Sequence, residues 1–109
     1  MTNVSGQNIY MVKGDSSSFH LKLTYMDGTE YVPEDGDKIY FSVKEDYDDE
    51  NYLIEKEVKD MIVNIEPEDT ASLEAPNTLV YDVQVNFTDG SIQTPIKGNL
   101  FISEEVKNG

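Results

Sequence analysis

Apolar and polar residues alternate with a period of two along three stretches of this chain. Phe19, Leu21, Leu23 and Tyr25 share one face, with Ser18, His20, Lys22 and Thr24 on the other. Ile39, Phe41 and Val43 oppose Lys38, Tyr40, Ser42 and Lys44. Leu79, Tyr81, Val83, Val85 and Phe87 oppose Val80, Asp82, Gln84, Asn86 and Thr88. Successive side chains of a strand point to opposite faces, so each run predicts a strand with one buried and one wet side. Such alternation favours antiparallel sheets, because buried parallel strands read as continuous apolar runs.

Weaker strands are predicted over Ile9 to Lys13, Tyr52 to Val58, Met61 to Glu66, Ser91 to Thr94 and Ile96 to Ser103. Pro95 cannot donate to a ladder and is expected on an edge or at a break between two strands. Glu68 to Leu73, following Pro67, reads as a single helical turn whose acidic start suits the helix dipole. Asp27-Gly28 and Asp89-Gly90 each lie between alternating runs, and each is followed by a proline, Pro33 and Pro95. Asp-Gly in that setting predicts type I′ hairpins, with positive φ at both residues. Reuse of one turn chemistry is preferred over duplication as the source of the likeness.

Turn residues recurring about every ten positions argue for a sandwich or barrel. The expected fold is all-β: an antiparallel β-sandwich of about seven or eight strands, immunoglobulin-like in layout. Its predicted core is Phe19, Leu21, Leu23, Ile39, Phe41, Val43, Ile65, Tyr81, Val83, Val85, Leu100 and Ile102. The length of 109 residues fits one domain, with residues 1–8 and 104–109 expected as flexible termini.

Twenty-two acids face eight lysines and no arginine, for a net charge of −14. Nucleic acid is therefore not an expected partner, since binding it needs cations to displace counterions. An anionic membrane surface is disfavoured by the same repulsion. The absence of cysteine excludes disulfides, thiolate catalysis and sulfur-ligated zinc. The first eight residues have neither a basic region nor an apolar stretch, so the protein is expected to be made in the cytoplasm without a signal peptide.

The densest charge cluster is Glu45-Asp46-Tyr47-Asp48-Asp49-Glu50. Calcium takes six to eight oxygens, which makes Asp46, Asp48, Asp49 and Glu50 a calcium candidate. The cluster lacks the ligand spacing of a dedicated calcium loop, and a solvated loop is the favoured reading. A second acidic group, Glu34-Asp35-Gly36-Asp37, flanks the other end of the Lys38 to Lys44 strand, too far away to share an ion. His20, the only histidine, falls on a polar face with no triad partner evident. No catalytic residue, metal centre or cofactor is expected. Tyr40, Tyr47 and Tyr52 are the candidate partner-binding residues, because exposed tyrosines bury interface area at low entropic cost.

Several motifs together carry a family resemblance. They are Val12-Lys13-Gly14-Asp15-Ser16, Phe19-His20-Leu21, Asp27-Gly28-Thr29, and Gly36-Asp37 running into Lys38 to Lys44. Farther on come Ile65 to Thr70, Tyr81-Asp82-Val83-Gln84-Val85, Asp89-Gly90 and Gly98 to Ile102. From about Ile9 to Val106 the chain resembles small β domains of phage and prophage tails of low-GC Gram-positive bacteria, in particular the N-terminal domain of baseplate upper proteins. That resemblance implies a β-sandwich that docks to other tail or baseplate proteins, or to itself, as a non-catalytic structural or adaptor module associated with the virion. The alternative from another class is a glycan- or calcium-dependent module that binds a bacterial surface.

Overall fold

A computed structural model of the chain describes residues 4–5, 8–25 and 27–104. It is an all-β molecule with eight strands among the described residues and one short helix. The strands are β1 (Val4–Ser5), β2 (Ile9–Val12), β3 (Ser17–His20), β4 (Lys38–Lys44), β5 (Ile54–Val58), β6 (Ile62–Ile65), β7 (Asn77–Asn86) and β8 (Ile92–Ser103), with α1 (Pro67–Ala71) between β6 and β7. Six strands form a large sheet in the order β1-β8-β7-β4-β5, with β2 beside β1 on the same flank of β8; β3 and β6 form a second, two-stranded sheet.

The predicted phase holds in the centre. Ile39, Phe41 and Val43 of β4 lie opposite Val85, Val83 and Tyr81 of β7, and all six are buried. Leu79 continues the row to Leu100 and Ile102 of β8. The small sheet meets this inner face through Phe19, whose ring stands edge-on to Phe41 at 5.6 Å. Ile65 and Leu23 are buried as expected, whereas Phe19 and Leu21 are half-buried at the rim. Tyr25 is exposed, a correction to its core assignment. The reason is local. After His20 the chain leaves the β3–β6 pair and folds back on itself, with the Tyr31 N–H donating to the Leu23 carbonyl at 2.8 Å. Tyr31, absent from the predicted core, is buried in this ribbon, edge-on to both Tyr25 and Phe87.

The large sheet is mixed and not purely antiparallel. β1 and β2 both run parallel to β8, Val4 beside Ile96 and Ile9 to Val12 beside Leu100 to Ser103. Ile9-Tyr10-Met11-Val12 is an unbroken apolar run, but only one side of it, at Met11, is buried. Val4 and Ser5 pair with β8, while most of the termini expected to be flexible, residues 1–3, 6–7 and 105–109, lie outside the described residues. β8 is one strand where two were expected. Pro95 is buried within it at a bulge, where the register with β7 slips between Val83 and Val85. The bulge leaves one residue of β8 without a ladder partner, which tolerates the missing N–H.

Both Asp-Gly turns form, in a different type from the one expected. The Gly28 N–H donates to the Tyr25 carbonyl and the Tyr25 N–H to the Thr29 carbonyl, a pattern repeated by Gly90, Phe87 and Ser91. Among the described residues of these two turns only glycine has positive φ, 91° at Gly28 and 90° at Gly90. These are three-residue loops closed by a glycine bulge. The two-residue loop with positive φ at both positions occurs instead between β5 and β6, at Asp60 (55°) and Met61 (59°).

The predicted helical turn is α1. The Asp69 carboxylate accepts the Glu66 N–H at 2.7 Å and pairs with Lys56 at 2.8 Å. Lys56 lies opposite Phe41 in register, so this ion pair draws its ammonium to the edge of the apolar layer. Thr70 is buried, and its hydroxyl accepts the Gly14 N–H at 2.9 Å, pinning α1 to the β2–β3 turn.

A carboxylate at the centre of this layer would be desolvated without a partner. Val83→Asp is expected to cost at least about 3 kcal/mol, a large share of a small domain's stability. A thermal melt checks this, and an unchanged midpoint would mean that the strand phase is inverted.

Candidate functional site

The alternation that buries the odd-numbered residues of β4 and β7 sends their even-numbered neighbours to the outer face of the large sheet. Across its middle run Ser42, Asp82 and Lys97, in register on β4, β7 and β8. Tyr40 lies two residues from Ser42 on β4, half-buried between Glu57 and Gln84.

The acidic segment after β4 folds back over this face. The Tyr47 hydroxyl reaches two main-chain carbonyls of adjacent strands, Tyr81 at 3.2 Å and Gly98 at 3.1 Å, sharing its one proton between them. The Lys97 ammonium stands 5.4 Å from the centre of the Tyr47 ring. Lys44 donates to the Asp49 carbonyl at 2.7 Å and lies 4.7 Å over the Tyr52 ring. Two lysines and two tyrosines therefore fasten the loop to the sheet by cation–π and hydrogen-bond contacts, which in partly exposed settings are worth about 0.5–1 kcal/mol each.

Tyr40, Tyr47 and Tyr52 are thus on one face of the molecule, and Tyr47 and Tyr52 remain 43% and 53% exposed. Much of the area of Tyr47 is committed to holding its own loop. The carboxylates of Asp46, Asp48, Asp49 and Glu50 are strung along that loop, and among the described residues no three His, Asp or Glu side chains are grouped to hold a metal ion. The Glu34 to Asp37 turn lies at the far end of β4 and is built around Asp37. Its carboxylate accepts from the Tyr31 hydroxyl at 2.6 Å, the Glu34 N–H at 3.1 Å and the Thr88 N–H at 3.1 Å. The Tyr31 hydrogen bond first, then those main-chain donors, hold the Asp37 carboxyl below its ordinary range.

Asp82 behaves in the opposite way. Burial beside Tyr47 pushes its carboxyl above the ordinary range, and Lys97 and Lys44 pull it back only in part. Burial likewise raises Tyr47 and keeps its phenol protonated as a donor.

The most exposed aromatic surface is elsewhere on this face, at the β2 edge. Tyr10 is 75% exposed and stacks on Phe101 of β8, with centroids 5.1 Å apart and planes 18° from parallel. Val12, next on the same side of β2, is 37% exposed. Beside the stack an open cleft of about 540 Å³ is lined by Tyr10, Pro76, Thr78, Phe101 and Ser103. These residues are not among the three tyrosines singled out from the sequence. The pattern that carries them is Phe101 standing out of phase between Leu100 and Ile102, together with an uncharged β2.

Compared with protein-family models and with curated protein sequences, the chain matches none. Among the described residues no helix is long and apolar enough to cross a membrane.

The raised carboxyl of Asp82 has a definite consequence for pH. Its charged form is disfavoured in the folded chain, so its cost is absent below the unfolded value near 4 and complete above the folded value. Asp82→Asn is therefore expected to raise stability at pH 7 by no more than about 1 kcal/mol, given solvent screening. Melts at neutral and acid pH should show that gain vanish as the medium is acidified. A loss of stability at pH 7 would mean that attraction to Lys44 and Lys97 outweighs desolvation.

Proposed function

We propose that this chain is a non-catalytic structural or adaptor module of a phage-derived tail or baseplate, acting through protein–protein contacts within the virion. The observation that carries the reading is the uncovered Tyr10–Phe101 stack at an open strand edge of the large sheet. Exposed sheet edges invite pairing with another chain, and isolated proteins usually guard them with charge or proline. Aromatic side chains with one free face are typical anchors of protein interfaces.

The motif pattern shared with small β domains of phage tails supports the tail assignment. In this reading the two sheets are the layers of an immunoglobulin-like sandwich, a layout supported by the Phe19–Phe41 contact between them. The heavily acidic remainder of the surface repels other copies everywhere except at such an uncharged edge.

Mass spectrometry of phage particles purified from an induced host tests the assignment. The chain is expected in the particles at a fixed ratio to the tail proteins through gradient purification. Its presence in the lysate and absence from purified particles would overturn the proposal.

A further inference from the structure

The β2 edge is constructed asymmetrically. The Lys13 N–H donates to the Ser103 carbonyl at 2.9 Å, and the Ser103 hydroxyl donates to the Met11 carbonyl at 3.3 Å. Odd-numbered peptide groups of β2 thus turn toward β8, and strand alternation turns those of Tyr10 and Val12 to the open side. The Val12 carbonyl accepts the Asp15 N–H at 3.1 Å. Among the described residues, the Tyr10 N–H and carbonyl and the Val12 N–H have no partner.

Charge distinguishes this edge from its counterpart. On the far side of the sheet, β5 carries Glu55, Lys56 and Glu57, with Lys59 bonded to Glu57 at 3.0 Å. That edge is guarded in the usual way. By contrast, Ile9 to Val12 and the neighbouring Phe101 to Ser103 hold no charged side chain, on a chain of net charge −14. Two copies meeting along Ile9 to Val12 set no charged side chain of these strands against another. The repulsion left over acts at long range, where salt screens it.

We propose that β2 is a homodimer edge: two copies pair antiparallel through Tyr10 and Val12, about a two-fold axis at Met11. In this register Tyr10 of each copy lies opposite Val12 of the other. The Tyr10 N–H then donates to the Val12 carbonyl of the second copy, as a second donor beside that copy's own Asp15 N–H, and the Val12 N–H to its Tyr10 carbonyl. The arrangement is self-complementary, as a two-fold interface requires. It joins two six-stranded sheets into one of twelve and sets each Tyr10–Phe101 stack against the other copy's Val12 on the outer face. A four-residue edge makes a small interface, so the dimer is weak and concentration-dependent. The inference rests on the protein–protein role proposed above and names its partner as a second copy.

Sedimentation equilibrium of the whole chain tests it, from about 10 μM to 1 mM and at about 0.05 M and 0.5 M NaCl, a range over which the screening length falls severalfold. Dimerisation that strengthens with salt is expected. Tyr10→Lys should weaken it by about tenfold or more. Val32→Lys makes the same charge change on a side chain 71% exposed in the Tyr31–β4 loop and should leave it intact. Matching melts establish that both variants fold. A monomer under every condition, or equal loss in both variants, overturns the proposal. So does a monomer that instead binds a lysine-flanked valine–threonine peptide at Tyr10, an outcome that assigns the edge to a basic partner. A chain that is monomeric yet found in purified particles removes the dimer and leaves the tail role standing.

Discussion

Everything in this molecule follows from the need to cover one face of the large sheet. The rows through Ile39, Phe41 and Val43 and through Leu79, Tyr81, Val83 and Val85 are continuous and apolar, and they are stable only when removed from water. Burying each such side chain contributes about 1.5–3 kcal/mol, against a conformational entropy cost of similar total size. The small sheet, α1 and the Leu23–Tyr31 ribbon are the elements that provide the cover. Where a charge falls within the rows, at Lys56, the chain places Asp69 within 2.8 Å at the margin to receive it.

The same alternation that makes one face dry makes the other available. Its middle is occupied by the chain's own acidic segment, held by Lys44 and Lys97 against Tyr52 and Tyr47. What remains uncovered is the β2 side, where an uncharged strand ends the sheet and Tyr10 leans on Phe101. An acidic protein with one neutral, aromatic edge has a surface that repels in general and admits contact in one place. That physical contrast, more than any constellation of reactive groups, is what supports the proposed role in assembly.

The central strands were legible because period two is unambiguous when one face is dry and the other wet. β4 and β7 lie within a residue or two of their predicted bounds, and all of the predicted core is buried or half-buried. Tyr25 failed because alternation cannot tell a strand that stays in a sheet from one that peels away at Leu21. The loop type at Asp27-Gly28 and Asp89-Gly90 failed because Asp-Gly serves both two-residue and three-residue hairpins, and a single residue of register separates them. The parallel pairing of β2 was hidden because a four-residue apolar run does not name its neighbour. The outer face of the sheet was half legible: Tyr40, Tyr47 and Tyr52 lie on it, but the lysines that engage Tyr47 and Tyr52 could be placed only by the fold. Tyr10 and Phe101 needed the pairing of the N-terminal and C-terminal strands before they could be seen together.

Amide hydrogen exchange in dilute solution, resolved residue by residue, tests the central claim most directly. The slowest exchange is expected along β4 and β7, around Phe41 and Val83. Along β2 and the residue after it the pattern should alternate, with Met11 and Lys13 protected and Tyr10 and Val12 exchanging freely. Uniform protection of these four amides, from Tyr10 to Lys13, would show the edge already covered within the monomer. Rapid exchange at Phe41 and Val83 would remove the dry face on which the whole architecture stands.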